Sequence, residues 1–302
     1  MSSLKGKIIT VVGSGLIGRS WAMLFMSGGY MVKIYDNIPG QASGAITDIR
    51  KQIEELQQAK MLRGNLTAAE QLSLLSSHDD LLQALEGAFF VQECVFEDLE
   101  AKQSVFHEVE NLVTESVILS SSTSCLMPSN VFSRVQNRTR CIISHPVNPP
   151  YYVRLVELVP HPETLPAVMD VAYSLMTDVG QAPVRLRKEI DGFALNRVQY
   201  AIIAESWRLV QVIMIILKNI LTTYPFSGEI LNAPSMEDYL QRYSEGIKRV
   251  LNTFGPVSDF SGEPADRIIK EICELIPAEQ EHLTARRERR DQLLMGLAKL
   301  KK

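Results

Sequence analysis

Two sets of residues in this chain have types and spacings that could do chemistry. The first is the run Gly13-x-Gly15-x-x-Gly18, which follows the β-branched apolar stretch Ile8–Val12 and opens a helical pattern from Leu16 to Ser27. Glycines punctuate many turns, so such a motif carries weight only between a strand and a helix. In that setting Gly13 permits a tight turn, Gly15 lets the backbone approach a pyrophosphate, and Gly18 allows close packing of helix against strand. The N–H groups at the start of the helix, where Leu16 and Ile17 stand, are unpaired and favour phosphate. Asp36 closes the second strand candidate about 20 residues on, where a carboxylate accepts hydrogen bonds from ribose hydroxyls. Its charge would repel a 2′-phosphate, and Asn37-Ile38-Pro39 supply no arginine. The expected cofactor is therefore NAD rather than NADP, with a ligand-free glycine turn as the competing reading.

The second set is His145, near the end of the apolar run Cys141–Val147, and Glu157, inside Leu155–Val159. A carboxylate set among four aliphatic residues is costly to bury without a partner. An imidazole would serve, because a carboxylate can fix its tautomer and stabilise the imidazolium formed in proton transfer. Taken singly, His145 reads as a satisfied core histidine, and Glu157 reads equally as an edge-strand residue facing water.

The elements that must position these groups alternate along the first part of the chain. Strand candidates at Ile8–Val12, Met31–Tyr35, Phe89–Val95, Val117–Ser120, Cys141–Val147, Leu155–Val159 and Ala182–Arg185 are separated by helical patterns at 16–27, 42–60, 99–113 and 167–179. A capping signal, Thr67-Ala68-Ala69-Glu70, opens a further short helix. Strand–helix alternation predicts an α/β fold, a Rossmann-type doubly wound and largely parallel sheet. From Phe193 onward the patterns are helical only, at 195–212, 237–254, 264–275 and 278–302. The expected division is residues 1–190 as a nucleotide-binding domain and 191–302 as a smaller all-α substrate and dimerisation domain.

Composition agrees with a folded protein of this kind: 302 residues, 46% hydrophobic and 22% charged. The formal net charge of −4 argues against non-specific nucleic-acid binding. Cys94, Cys125, Cys141 and Cys273 are far apart and read as reduced thiols, and no His or Cys cluster has metal-ligand spacing. No signal sequence or lipidation box fits either terminus, so the expected location is the cytoplasm.

Longer motifs add a resemblance. S-S-S-T-S-C-L (120–126), H-P-V-N-P-P (145–150), L-V-E-L-V (155–159) and D-G-F-A-L-N-R (191–197) together resemble the 3-hydroxyacyl-CoA dehydrogenase superfamily. That resemblance implies an NAD-dependent oxidation of a C3 hydroxyl, with His145 as catalytic base and Glu157 as its orienting partner. It also implies that Ser124 and Asn196 bind the reacting oxygen or hold the histidine. Glu97 and Lys102 would line the cofactor site, and Asn148 would sit near the nicotinamide. The favoured substrate is a small hydroxy acid, L-gulonate, and the implied assembly is a homodimer. A 3-hydroxyacyl-CoA substrate, or a non-catalytic NAD-binding role, are the alternatives. The bland readings are that Ser124 caps a helix, Asn196 is an exposed helix polar, and Lys102 is a helix-surface charge.

The resemblance stops after Trp207-Arg208-Leu209-Val210 and resumes near Tyr239. Between them Gln211 to Met236 is strongly apolar, with Lys218 and Glu229 its only charges. Lys218-Asn219 interrupts the run too early for a membrane span of about 18 residues. A buried helix, within the core or a dimer interface, is the expectation, with substrate binding impaired at the replaced wall.

Overall fold

The computed structural model describes residues 6–202, with 245–246, 249–250 and 252 beyond them. The departing segment at about 211–238, most of the helical patterns after 202, and Cys273 lie outside the described residues.

Strand β1 (Ile8–Val12) leads through the glycine turn into helix α1 (Leu16–Ser27), which Gly28 and Gly29 end. Strand β2 (Met31–Tyr35) follows, then helix α2 (Gln41–Gln58). The buried face of α2 is Ala42, Ala45, Ile49, Ile53 and Leu56, a helical period that lays one stripe on the sheet. Helix α3 (Ala68–Leu72) begins with the anticipated capping box, the Thr67 hydroxyl accepting from Glu70 N–H and the Glu70 carboxylate accepting from Thr67 N–H. Two elements then appear that the sequence pattern did not announce: strand β3 (Leu75–His78) and helix α4 (Leu81–Leu85). Leu-Ser-Ser-His lacks an apolar run because β3 lies at the sheet edge, where one partner suffices.

Strand β4 (Ala88–Glu93), helix α5 (Leu99–Leu112) and strand β5 (Ile118–Ser121) come next. The short helix α6 (Pro128–Val131) and a 3-10 turn at Arg138–Arg140 lead to strand β6 (Cys141–Pro146). Strand β7 (Leu155–Pro160), helix α7 (Pro166–Asp178) and strand β8 (Ala182–Arg185) complete the sheet. Its eight strands run β3-β2-β1-β4-β5-β6-β7-β8. The first six are parallel, whereas β7 is antiparallel to β6 and parallel to β8. The chain winds outward from β1 in one direction and from β4 in the other, which opens a crevice at their carboxyl ends.

Strand residues alternate between two cores, as expected when both faces of a sheet are covered. Ile9, Phe90, Ile118, Ile142 and Val156 face a core with Trp21 and Phe25, while Val12, Val91, Leu119, Ile143 and Val159 face one with Phe106 and Phe132. Phe193, just past the expected domain boundary, is buried in the second core. Among the described residues no helix is long and apolar enough to cross a membrane.

His161, just after β7, is nearly enclosed, and its Nδ1 accepts the Glu163 N–H at 3.0 Å. Burial lowers its pKa below the ordinary value. The unfolded chain therefore takes up a proton at higher pH than the native state, and stability present above about pH 6.5 is lost as pH falls below it. His161→Asn keeps an acceptor and cannot titrate. Thermal melts between about pH 7.5 and pH 5 should show the unmutated chain losing more Tm than the variant.

Candidate active site

The glycine turn is built as a ligand cradle. Gly13 holds φ at +102°, and a Cβ there would meet the Cys94 carbonyl carbon and oxygen at 2.7 Å. A Cβ on Gly18 would lie 1.9 Å from the Gly13 carbonyl oxygen, so the turn and the helix close only because both positions are glycine. Gly15 is the opposite case: among the described residues nothing lies within 4 Å of where its side chain would be, which leaves space in front of the loop. No side chain caps the start of α1 and its first turn has no acidic residue. The leading N–H groups, at Leu16 and Ile17, thus stay available to an anion. These features fit a pyrophosphate.

Asp36 does more than was anticipated. Its Oδ2 accepts from the Ser14 N–H at 2.8 Å and the Ser14 hydroxyl at 2.7 Å, and its Oδ1 accepts from Ile38 N–H at 3.1 Å. The carboxylate latches the glycine turn to β2 and keeps lone-pair capacity for a ribose hydroxyl.

His145 and Glu157 stand directly opposite each other on the antiparallel β6–β7 pair. Their side chains share the face of the second core, and His145 Nδ1 lies 2.8 Å from Glu157 Oε2. Both are almost wholly buried, at 4% and 2% exposure, and β8 covers the outer side of β7, so Glu157 is no solvent-facing edge residue. Glu157 Oε1 accepts the N–H groups of Ala194 and Leu195 at 2.8 and 2.9 Å, where residues 195–202 begin a helix. A carboxylate accepting from those donors takes the Nδ1 proton of a neutral imidazole as its remaining partner. That leaves Nε2 as the open basic nitrogen.

Ser124 lies beyond β5. Its N–H donates to Glu97 Oε1 at 2.8 Å, and its carbonyl accepts from Asn196 Nδ2 at 2.5 Å. Its hydroxyl makes no hydrogen bond among the described residues. Ser124 does not cap the following helix, whose N-cap is Met127, and Asn196 is buried rather than exposed.

Lys102 is no helix-surface charge: it is 1% exposed. Its ammonium contacts Glu93 Oε1 at 2.9 Å, Glu97 Oε2 at 3.2 Å and the Val95 carbonyl at 3.1 Å, which uses its three protons. Burial pulls its pKa down, but the two carboxylates more than reverse this and hold it charged. Lys102 thus sits beneath Glu97, and Glu97 in turn grips the Thr123 hydroxyl and the Ser124 N–H. Asn148 follows β6, before a cis Asn148–Pro149 peptide, and its buried Oδ1 has no hydrogen-bond partner among the described residues. An orphaned buried acceptor at this edge fits an amide donor from a ligand. Cys94 and Cys125 are half-buried and Cys141 is buried, all free thiols, and burial pushes the Cys125 thiol up to about 12.

Two participants escaped the sequence reading. Glu93 is fully buried, accepting from Lys102, Ser121 and Val95; its signal was a carboxylate closing the apolar run Phe89–Val91. Phe193, in turn, holds φ at +51°, which costs an aromatic residue about 1–3 kcal/mol, and its ring centroid lies 5.4 Å from that of His145.

Strand order, glycine turn and Asp36 latch define a dinucleotide-binding protein of the doubly wound type. A family model described as 3-hydroxyacyl-CoA dehydrogenase, NAD binding domain, matches residues 8–190. The chain belongs to the 3-hydroxyacyl-CoA dehydrogenase family, and its cofactor is NAD. It is 50% identical over 314 residues to lambda-crystallin of Oryctolagus cuniculus, covering 100% of this chain and 98% of that protein. It is 30% identical to L-carnitine dehydrogenase of Pseudomonas syringae pv. syringae, across 68% of this chain and 63% of the relative. Among solved structures, 3-hydroxybutyryl-CoA dehydrogenase from Escherichia coli aligns with a TM-score of 0.64 at 26% identity, over 69% of this chain and 43% of that one.

Proposed function

We propose that this chain is an NAD-dependent dehydrogenase oxidising the C3 hydroxyl of a 3-hydroxy acid, with L-gulonate the preferred substrate and 3-dehydro-L-gulonate the product. The observation that carries this reading is the buried His145–Glu157 pair, on the same carboxyl edge of the parallel strands as the glycine cradle. Bound NAD supplies the hydride acceptor. Gly13, Gly15, Leu16, Ile17 and Gly18 receive its pyrophosphate, Asp36 its ribose, and Asn148 its nicotinamide amide. Glu97 borders the cofactor, and Lys102 fixes Glu97.

In this reading His145 Nε2 takes the proton from the C3 hydroxyl, and Glu157 holds the ring by Nδ1 and balances the imidazolium. The Ser124 hydroxyl donates to the reacting oxygen, and Asn196 fixes the Ser124 turn through its carbonyl. The rest of the substrate pocket and the homodimer contact are assigned to the chain beyond residue 202, most of which lies outside the described residues. L-Gulonate is the substrate that the motif resemblance implies, and the full-length likeness to lambda-crystallin supports the same branch of the family.

The test is NADH formation at 340 nm by the purified 302-residue chain with L-gulonate, 3-hydroxybutyryl-CoA and L-carnitine in parallel. Turnover of L-gulonate at about 1–10³ s⁻¹, the ordinary range for enzymes, would support this reading and overturn the expectation that the segment at 211–238 impairs substrate binding. Preference for the CoA ester would move the protein to that substrate class. NAD binding without turnover of any of the three would count against this reading and favour a non-catalytic role, which the absence of any rate difference between the unmutated chain and His145→Ala would support.

A further inference from the structure

The turn Asp191-Gly192-Phe193 carries two consecutive left-handed residues, at φ +77° and +51°. Glycine adopts this conformation freely, whereas phenylalanine does so only when its surroundings demand it. Here the bend has three effects together. It aims the Ala194 and Leu195 N–H groups at one oxygen of Glu157, leaving the other for His145. The bend also sets the Phe193 ring, wholly buried, against the imidazole at an interplanar angle of 57°. Finally, it leaves Asp191 outside the core, where Arg249 grips it with two bonds, Nε to Oδ2 at 2.6 Å and one terminal nitrogen to Oδ1 at 3.0 Å.

Val250, next to Arg249, secures the same turn by packing. Val250 is fully buried, and a Cβ on Gly192 would meet both its methyl groups at 2.9 Å. The Asp191 carbonyl also accepts from Arg197 at 3.2 Å. A forked guanidinium fixes a carboxylate in both position and plane, which a single contact does not. The segment that resumes the family pattern after the departing stretch is thereby tied to the turn under the histidine.

We propose that Phe193 is a positioning residue that holds the His145 imidazole in one orientation and one tautomer, and that Arg249 locks its turn through Asp191. The proposal deepens the dehydrogenase reading and rests on it for its effect on rate. It has a second readout that does not depend on turnover.

The variants are Phe193→Leu, which keeps bulk and loses the ring, and Arg249→Met, which removes the fork from a half-exposed side chain. Nitrogen NMR of 15N-histidine protein, with His145 assigned among the five histidines by His145→Gln, reads the tautomer directly. The unmutated chain should show a single Nδ1–H form. Each variant should shift towards an averaged pair of tautomers, with kcat about tenfold lower and NAD affinity unchanged. A single Nδ1–H form in both variants would overturn the proposal, as would a loss confined to Tm at unchanged kcat. If the unmutated chain turns over nothing, the dehydrogenase reading fails, and the NMR comparison still decides whether Phe193 and Arg249 orient the ring.

Discussion

Replacement of His145 by glutamine should lower kcat by about 10²–10⁴-fold while leaving NAD affinity within a factor of about two, the range for a lost general base. Glutamine fills much of the imidazole volume, and its amide can still donate to Glu157 Oε2, so the carboxylate keeps a partner and the strand pair keeps its packing. What glutamine cannot do is accept a proton at the position Nε2 occupies. The loss should therefore fall on kcat and kcat/KM together, with little change in KM, as for an interaction made mainly in the transition state. Absorbance at 340 nm gives the rate, and quenching of tryptophan fluorescence by NAD gives the affinity. A variant as fast as the unmutated chain would remove His145 from the chemistry.

The second large effect concerns stability. Lys102→Met should destabilise the chain by about 3–5 kcal/mol, the usual result of removing one partner from a buried ionic group. Glu93 would be left charged in an enclosed site with only Ser121 and the Val95 N–H for company. Glu97 is a lesser concern, being partly open to water. The pH dependence separates this mechanism from simple loss of packing. Burial already holds the Glu93 carboxyl above its ordinary range against the pull of Lys102. Without the ammonium it rises further, so the native variant binds its proton before the unfolded chain does. The variant should regain stability as pH falls through that raised value towards the ordinary carboxylate range near 4.3, and its deficit should be largest at neutral pH. Urea unfolding at about pH 5 and pH 7.5 measures both arms. Adding Glu93→Gln to Lys102→Met should recover part of the loss at neutral pH, and no recovery would assign the deficit to the methionine's fit.

Much of this architecture is written locally in the chain. Ile8–Val12, the three glycines and Asp36 announce a strand, a turn and an acceptor because each depends on residue type within a few positions. His145 and Glu157 were legible only in part: a carboxylate among aliphatic residues wants a partner, but the edge-strand alternative stayed open until the motif resemblance paired them. The reversal of β7 was not legible, since alternation of side chains is the same in either strand direction. Nor was the burial of Lys102 visible: it depends on Glu93 and Glu97, which reach it from β4 and the following loop, and a single lysine on α5 has no periodicity of its own. Phe193 escaped notice for a related reason. Only Gly192 beside it hints at a left-handed turn, and nothing local says the bend continues into an aromatic residue.

The pairing of His145 with Glu157 across β6 and β7 also limits how this gene can vary. The two residues are twelve positions apart and joined by 147–154, a connection that itself carries Asn148 and the buried Tyr151. One codon lost or gained there, if the strands paired one step out of place, would swing the carboxylate to the far side of the sheet. In-frame insertions and deletions should thus be purged from this short stretch.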